Sequence, residues 1–331
     1  MNLITDRSER RFRRFGILTI ASVFFLIFVG GLVRSTGSGL GCPDWPKCFD
    51  KWVPPTDVNE LPADYKEKFK VAGHEIADFD VYKTWTEYIN RLIGVFTGFF
   101  IFLTVFFAIP YLKTDKTVFW LSFVAFILVG FQGWIGAKVI SSNLVHWMIT
   151  IHMLIALIIV GLLIYTITRS QQFVIPQLQA DSTIKPIILV VLLLILIQTL
   201  VGTQVRASTD QIAAILGEQN RLKWIGEMGT IFRVHRSLSV VTMVFVVWMT
   251  LKIRKSFARN SLIYRAVLAI LLLVGTQIFS GKILDSFGFP RQMQAIHLFI
   301  GSLIAGLALF IALMVFTKVQ TVAIESGERK D

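Results

Sequence analysis

Long uncharged apolar runs are the feature that most constrains this chain. A helix rises about 1.5 Å per residue, so about 20 apolar residues are needed to cross roughly 30 Å of hydrocarbon. Two runs, 237–251 and 266–281, reach that length only if their helices extend past Arg236 and Lys282. The other runs are long enough as they stand: 15–33, 92–112, 117–137, 139–168, 186–205 and 292–317. The sequence therefore predicts an all-α polytopic membrane protein with eight spanning helices.

Composition and charge support this class. Only 16% of the 331 residues are charged and 54% are hydrophobic, which excludes a water-soluble enzyme because a soluble domain has about a quarter of its residues charged. The net charge of +12 comes from Lys and Arg between the apolar runs. We therefore expect lipid headgroups, not nucleic acid, as the anionic partner. The first run lacks an A-x-A-like cleavage site, so we expect it to remain as a helix.

Basic residues in the short loops predict the orientation. They precede the first run, lie between the second and third runs, and lie between the sixth and seventh runs. The positive-inside rule then places both termini in the cytoplasm and the long loop 35–85 outside the cell membrane. That loop carries Cys42 and Cys48 with two prolines between them. An oxidising compartment favours a disulfide, with free thiols or a redox pair as the alternatives.

An internal repeat relates the two parts of the chain. A shift of 172 residues aligns Arg34 with Arg206, and a shift of 145 residues aligns polar or small residues of the later helices. The aligned pairs at the second shift are Arg91 with Arg236, Gly130 with Gly275, Gln132 with Gln277, Gly136 with Gly281 and His152 with His297. The sequence therefore predicts two tandem, pseudo-symmetric four-helix bundles, 1–170 and 171–331.

Two histidines of the second repeat are candidate metal ligands. His235 and His297 begin two spans at matching depth, and two imidazoles so placed can bind a heme iron from opposite faces. The alternative is that each histidine is a hydrogen-bonding contact between helices. We favour heme because ionisable residues inside a membrane are functional by default. Arg206, Arg233 and Arg236 are then candidate partners of its propionates.

The first repeat departs from the second at one of these positions. Asn90 and His152 occupy the equivalent places, and Glu87 lies three residues before Asn90 on the same helix face. A carboxylate at that depth is costly unless it is protonated, paired with Arg91 or Arg34, or used in proton chemistry. The alternative for Glu87 is an interfacial acid stabilised by the helix dipole.

These residues bring the chain close to a known family. It resembles the heme A synthase family from the first predicted span to the eighth, with a specific string around the cysteines. The strings that carry the resemblance are GLVRSTGSGLGCPDWPKC (31–48), EYINR (87–91), FRVHR (232–236) and QAIH (294–297).

The resemblance implies an oxidoreductase that converts heme O to heme A by oxidising the C8 methyl group to a formyl group, for aa3-type terminal oxidases. It implies a heme b between His235 and His297, and a substrate heme site at Glu87, Asn90, Arg91, His152 and Arg34. It also implies a disulfide between Cys42 and Cys48. Candidate partners are heme O synthase, cytochrome oxidase assembly factors and an electron carrier that the sequence does not identify.

Asn90 stands where the family pattern has histidine, and asparagine is a poor iron ligand. Three interpretations follow: His152 alone holds the substrate heme and leaves an open axial position, His146 or His74 replaces the ligand, or the chemistry is lost. We favour the first, because oxidative chemistry at iron requires an open position. The competing functions are a non-catalytic heme-binding or heme-delivery protein and a secondary transporter.

Overall fold

The structure is a computed structural model that describes residues 3–171 and 183–316. Its long helices are α1 (Leu3–Ser35), α2 (Val81–Ala108), α3 (Lys116–Ser141), α4 (His146–Arg169), α5 (Ile184–Leu216), α6 (Gly229–Ser256), α7 (Leu262–Ser286) and α8 (Arg291–Phe316). Each is long and apolar enough to cross a membrane, which confirms the eight predicted spans. Short helical turns at Val58–Glu60, Tyr65–Lys68, Ile109–Leu112, Glu218–Lys223 and Trp224–Glu227 connect them.

Several helix boundaries differ from the uncharged runs. The run 139–168 was expected to form one span, but α3 ends at Ser141 and α4 begins at His146, with positive φ angles at Asn143 and Leu144 between them. As expected, α6 and α7 extend past Arg236 and Lys282. The predicted end of the last run, residue 317, lies outside the described residues.

The same helix pairs pack in each part of the chain. In the first half, α1–α4, helix α1 packs on α2 and α4, while α3 packs on α2 and α4. In the second half, α5–α8, helix α5 packs on α6 and α8, while α7 packs on α6 and α8. This arrangement is consistent with two tandem four-helix bundles, as the repeat predicts.

The halves meet mainly through α8. It packs against both α1 and α4, and a glycine permits the close approach to α1. A Cβ on Gly31 would lie 3.5 Å from the Cα of Ala295 and 3.0 Å from Cδ2 of Leu298. The rings of Phe28 and Phe299 also meet across this seam at 5.5 Å.

The segment between α1 and α2, residues 36–80, covers one end of the bundle, called here the loop end. Cys42 and Cys48 form a disulfide, and both are fully buried. Phe49 packs against Phe69 and Phe79 beside it. The loop therefore has a small apolar core of its own.

Candidate functional site

His235 and His297 face each other in the second half. Each lies six residues after the first residue of its helix, Gly229 in α6 and Arg291 in α8. Their ring centres are 6.3 Å apart and their planes are inclined by 61°. Two imidazole nitrogens that share one metal, each about 2 Å from it, place their ring centres about 6 Å apart. The spacing therefore fits axial ligation of one iron by both rings.

The Nδ1 atom of each histidine already has a contact. Nδ1 of His297 lies 2.8 Å from Oγ of Ser280, and Nδ1 of His235 lies 3.3 Å from Nε2 of Gln198. The Gln198 amide also donates to the His235 carbonyl at 3.0 Å. The contact with Ser280 leaves Nε2 of His297 for a metal, whereas the 3.3 Å contact of the Gln198 amide does not fix the tautomer of His235.

Both histidines line a cavity of about 250 Å³. The cavity lies between the two halves, since Gly31 and Arg34 of α1 and Met153 and Leu157 of α4 also line it. Most of its lining is apolar, which suits a macrocycle with hydrophobic faces. The sequence assigned this site to the second half alone and missed the contribution of the first.

Three buried amide oxygens of this lining lack a hydrogen-bond partner within the described residues. They are the Oε1 atoms of Gln198, Gln277 and Gln294. Buried polar atoms are nearly always paired, so these oxygens indicate a site built to receive a polar ligand group or ordered water. In the part of the chain that the structure describes, no group of three or more His, Cys, Asp or Glu residues could hold a metal ion.

Glycines make room for the side chains at all four repeat-related positions. A Cβ on Gly202 would lie 3.3 Å from Cε1 of His235, and one on Gly281 would lie 3.4 Å from Cε1 of His297. In the first half, a Cβ on Gly136 would lie 3.5 Å from Cε1 of His152, and one on Gly30 would lie 3.8 Å from Oδ1 of Asn90. The four glycines are themselves related by the two repeat shifts, so the repeat preserves a contact between a glycine and the side chain at each of these four positions.

A charged cluster lies where α1 and α5 meet at the loop end of the cavity. Asp210 accepts from Arg34 at 2.6 Å and pairs with Arg206 at 2.7 Å. Both arginines line the cavity. Arg233 and Arg236 are exposed and lie outside its lining: Arg233 donates to Thr230, and Arg236 lies over the ring of Phe232. The structure therefore brings Arg34 and Arg206 to the site, and leaves Arg233 and Arg236 apart from it.

Glu87 joins α2 to the cysteine loop. The residue is only 3% exposed, and its Oε2 accepts the backbone N–H of Cys42 at 2.8 Å while its Oε1 accepts from Arg91 at 2.6 Å. Arg91 also donates to the carbonyl oxygens of Cys42, Asp44 and Lys47. The Glu87–Arg91 pair therefore holds the cysteine loop against the start of α2.

His152 and Asn90 lie in the first half with unpaired polar atoms. The His152 carbonyl accepts from the Gln132 amide at 2.6 Å. Nδ1 of His152 and Oδ1 of Asn90 are buried and have no hydrogen-bond partner among the residues described. The other two histidines lie elsewhere: His146 lines a separate open cavity with Trp147 and Gln204, and His74 is exposed in the cysteine loop.

Comparison with known proteins identifies the family. Residues 13–310 match the model of the family described as cytochrome oxidase assembly protein, COX15-CtaA. The chain belongs to that family.

Curated relatives of this chain are named heme A synthase. The one from Geobacillus kaustophilus is 23% identical over 322 residues, which cover 92% of both chains. The one from Pelagibacter ubique is 31% identical over 47% of this chain and 50% of its own length, and the one from Shewanella oneidensis is 29% identical over 56% and 54%. The chain thus spans about half the length of these last two relatives and nearly all of the first.

Proposed function

We propose that this chain is a heme A synthase, an oxidoreductase that converts the C8 methyl group of heme O to a formyl group in successive hydroxylations. The family match and the relatives' names support this assignment. The observation that carries it is the pair His235 and His297, with ring centres 6.3 Å apart in a largely apolar cavity. A role as hydrogen-bonding contacts between helices does not explain why both histidines line one cavity.

In this proposal the second half binds heme b. A heme with two histidine ligands supplies one-electron transfer when bound. His235 and His297 would hold its iron, and Gly202 and Gly281 leave room for their rings. Arg34 and Arg206 bind the propionate carboxylates at the loop end, because guanidinium groups recognise carboxylates in bidentate fashion. The sequence predicted Arg206, Arg233 and Arg236 for this role and Arg34 for the substrate heme; Arg233 and Arg236 lie outside the cavity lining, and Arg34 is part of it.

The substrate site belongs to the first half. His152 is the candidate ligand to the substrate iron, and Asn90 would leave the opposite side of the iron open; its Oδ1 has no hydrogen-bond partner among the described residues and would accept one from a bound water. Glu87 and Arg91 hold the disulfide-bearing loop over this half, so we propose that Glu87 acts both as an anchor of that loop and as the acid–base group of the site. His146 and His74 are less suited to replace the missing ligand, because one lines a separate cavity and the other is exposed.

We further propose a location in the cytoplasmic membrane with both termini in the cytoplasm and the cysteine loop outside. Arg254 and Lys255 lie in the last turn of α6 and Arg259 follows it, at the end opposite to the cysteine loop, which the positive-inside rule assigns to the cytoplasm. The division into 1–170 and 171–331 follows from the repeat. Heme O synthase, oxidase assembly factors and an electron carrier remain the proposed partners.

Pigment extraction tests the function. The full-length chain is expressed in cells that supply heme O but lack their own heme A synthase, with His74→Ala as a matched control for histidine loss. Heme A in the extract supports the enzyme, and the control should produce it equally. An extract that contains heme b but no heme A would contradict the enzyme assignment and support a non-catalytic heme-binding protein. A purified chain without a Soret band would contradict any heme function and favour the transporter.

A further inference from the structure

Ser280 of α7 forms a chain of two hydrogen bonds with His297. Its Oγ donates to the carbonyl oxygen of Gln277 at 2.8 Å and lies 2.8 Å from Nδ1 of His297. A hydroxyl group has one proton to donate and two lone pairs to accept with. In the arrangement in which the hydroxyl proton goes to this carbonyl, the contact with His297 uses an oxygen lone pair, and Nδ1 of His297 carries the ring proton.

This arrangement fixes the histidine in one tautomer. With the proton on Nδ1, the lone pair of the neutral imidazole lies on Nε2, which is the form that binds a metal. Ser280 is 3% exposed, so water does not replace its hydroxyl easily. An acceptor at Nδ1–H also raises the basicity of the metal-bound nitrogen.

The first half lacks this device. The repeat shift of 145 residues aligns Ser280 with Ile135, Gln277 with Gln132 and His297 with His152. Ile135 is buried and has no polar atom in its side chain, and Nδ1 of His152 lacks a hydrogen-bond partner within residues 3–171 and 183–316. The two equivalent histidines therefore differ in what orients them.

We infer that Ser280 is a positioning residue that fixes the tautomer of His297 and strengthens its bond to heme iron, and that Ile135 leaves His152 a weaker, exchangeable ligand. This inference rests on the proposed function. The difference between Ser280 and Ile135 would let the second half retain its heme, while the first half binds a heme that must enter and leave.

The test compares Ser280→Ala with Ser280→Thr, which keeps the hydroxyl, in the full-length protein loaded with heme b. Ser122→Ala is the matched control, because Ser122 is also buried and donates to a carbonyl of its own helix at 2.9 Å, but within the described residues it has no hydrogen bond to a histidine. The readouts are the midpoint potential of the low-spin heme and the rate at which heme passes to excess apomyoglobin.

Ser280→Ala should release heme about 10-fold faster or more, in the range seen for outer-shell partners of metal ligands. Its midpoint potential should rise, because a less basic imidazole stabilises ferric iron less. Ser280→Thr and Ser122→Ala should stay near wild type, and Ser280→Cys, a weak acceptor of similar size, should fall between Ala and wild type. In the first half, Ile135→Thr should slow the release of heme bound through His152.

Unchanged release and potential in Ser280→Ala, with a normal wild-type spectrum, would overturn this inference and leave the proposed function intact. A wild-type protein with no low-spin heme would overturn both. If Ser280→Ala fails to fold, the heme release rates of Ser280→Cys and Ser280→Thr still test the inference. Ser280→Cys should release heme faster than Ser280→Thr, and equal rates would contradict a role for the hydroxyl.

Discussion

Arg34 of the first half and Asp210 of the second half form an ion pair of 2.6 Å across the mouth of the cavity. Asp210 is shared with Arg206, so two guanidinium groups meet one carboxylate. Each side chain of the Arg34–Asp210 pair is about a quarter exposed, at 26% and 22%. The cluster thus links the halves and retains one positive charge for an anionic ligand group.

Asp210→Asn should lower the stability of the protein. The substitution leaves two partly buried arginines without their counter-ion, and we expect a loss of about 1–2 kcal/mol, below the roughly 3–5 kcal/mol of a fully buried pair because solvent screens these groups. The midpoint of thermal unfolding in detergent measures it. Asp78→Asn, which breaks an ion pair whose carboxylate side chain is 90% exposed, is the control and should change little. Equal effects of the two substitutions would contradict a linking role for Asp210.

His235→Ala and His297→Ala should each abolish the low-spin spectrum of a heme with two histidine ligands. Loss of either imidazole leaves one axial position of the iron without a protein ligand. Absorbance and low-temperature electron paramagnetic resonance of the purified variants measure this change. His74→Ala should retain the wild-type spectrum, since His74 is exposed in the loop. A low-spin spectrum in either ligand variant would show that the assignment is wrong.

Gly281→Val should reduce heme binding at least several-fold. A Cβ at this position already meets Cε1 of His297 at 3.4 Å, so the two added methyl groups must displace the ring. Gly275→Val on the same helix is the matched control, because a Cβ there meets no atom within 4 Å. Heme content per protein measures the effect, and similar losses in both variants would point to a general helix defect.

Arg91→Ala should release the cysteine loop from α2. The substitution removes donors to the Cys42, Asp44 and Lys47 carbonyls and to Glu87, and it leaves a buried carboxylate without its ion pair. We expect faster reduction and alkylation of Cys42 and Cys48, which are fully buried in the intact loop. Lys83→Ala, at the exposed start of α2, should react at the wild-type rate. Unchanged thiol reactivity in Arg91→Ala would argue against the anchoring role.

Glu87→Gln should preserve the pigment of the second half and stop the conversion of heme O. The amide keeps an acceptor for the Cys42 N–H but loses the negative charge that pairs with Arg91. Quantifying heme b and heme A in the same extract separates the two effects. Wild-type amounts of heme A would exclude an acid–base role for Glu87.

Asn90→His tests the open axial position. A second imidazole opposite His152 should convert the first-half heme to a low-spin form and lower the turnover of heme O, because it occupies the position that oxidative chemistry requires. Spectra and heme A yield are measured on the same preparation. A several-fold rise in heme A would contradict the open-position interpretation.

The sequence predicts the elements of this fold well where hydropathy and the repeat act together. The eight spans, the matching depth of His235 and His297, and the alignment of His152 with His297 all follow from local pattern. The boundary between α3 and α4 does not, because Asn143 and Leu144 are uncharged and leave the run 139–168 unbroken by charge. Ser141, Ser142 and Asn143 are polar but uncharged, so a division of the sequence at charged residues does not detect this turn.

The sequence did not predict which side chains on different elements contact each other. The sequence placed Arg236 beside His235 and His297 and assigned Arg34 to the first half, whereas Arg34 lines the cavity of these histidines and Arg236 does not, because the sequence does not show which side of α6 faces the cavity. The bond from Cys42 to Glu87 spans 45 residues, and the contact of Ser280 with His297 depends on the rotation of α7. A side chain's partner on another helix depends on how the helices pack, which periodicity alone does not fix.

The shared walls of the cavity bear on how such a chain could have arisen by duplication. Because α1 and α4 line the cavity that holds the second-half histidines, one repeat alone lacks part of the enclosure. A single-repeat ancestor would therefore have needed to dimerise before it could enclose a pigment, and fusion of the two copies would have made that association permanent.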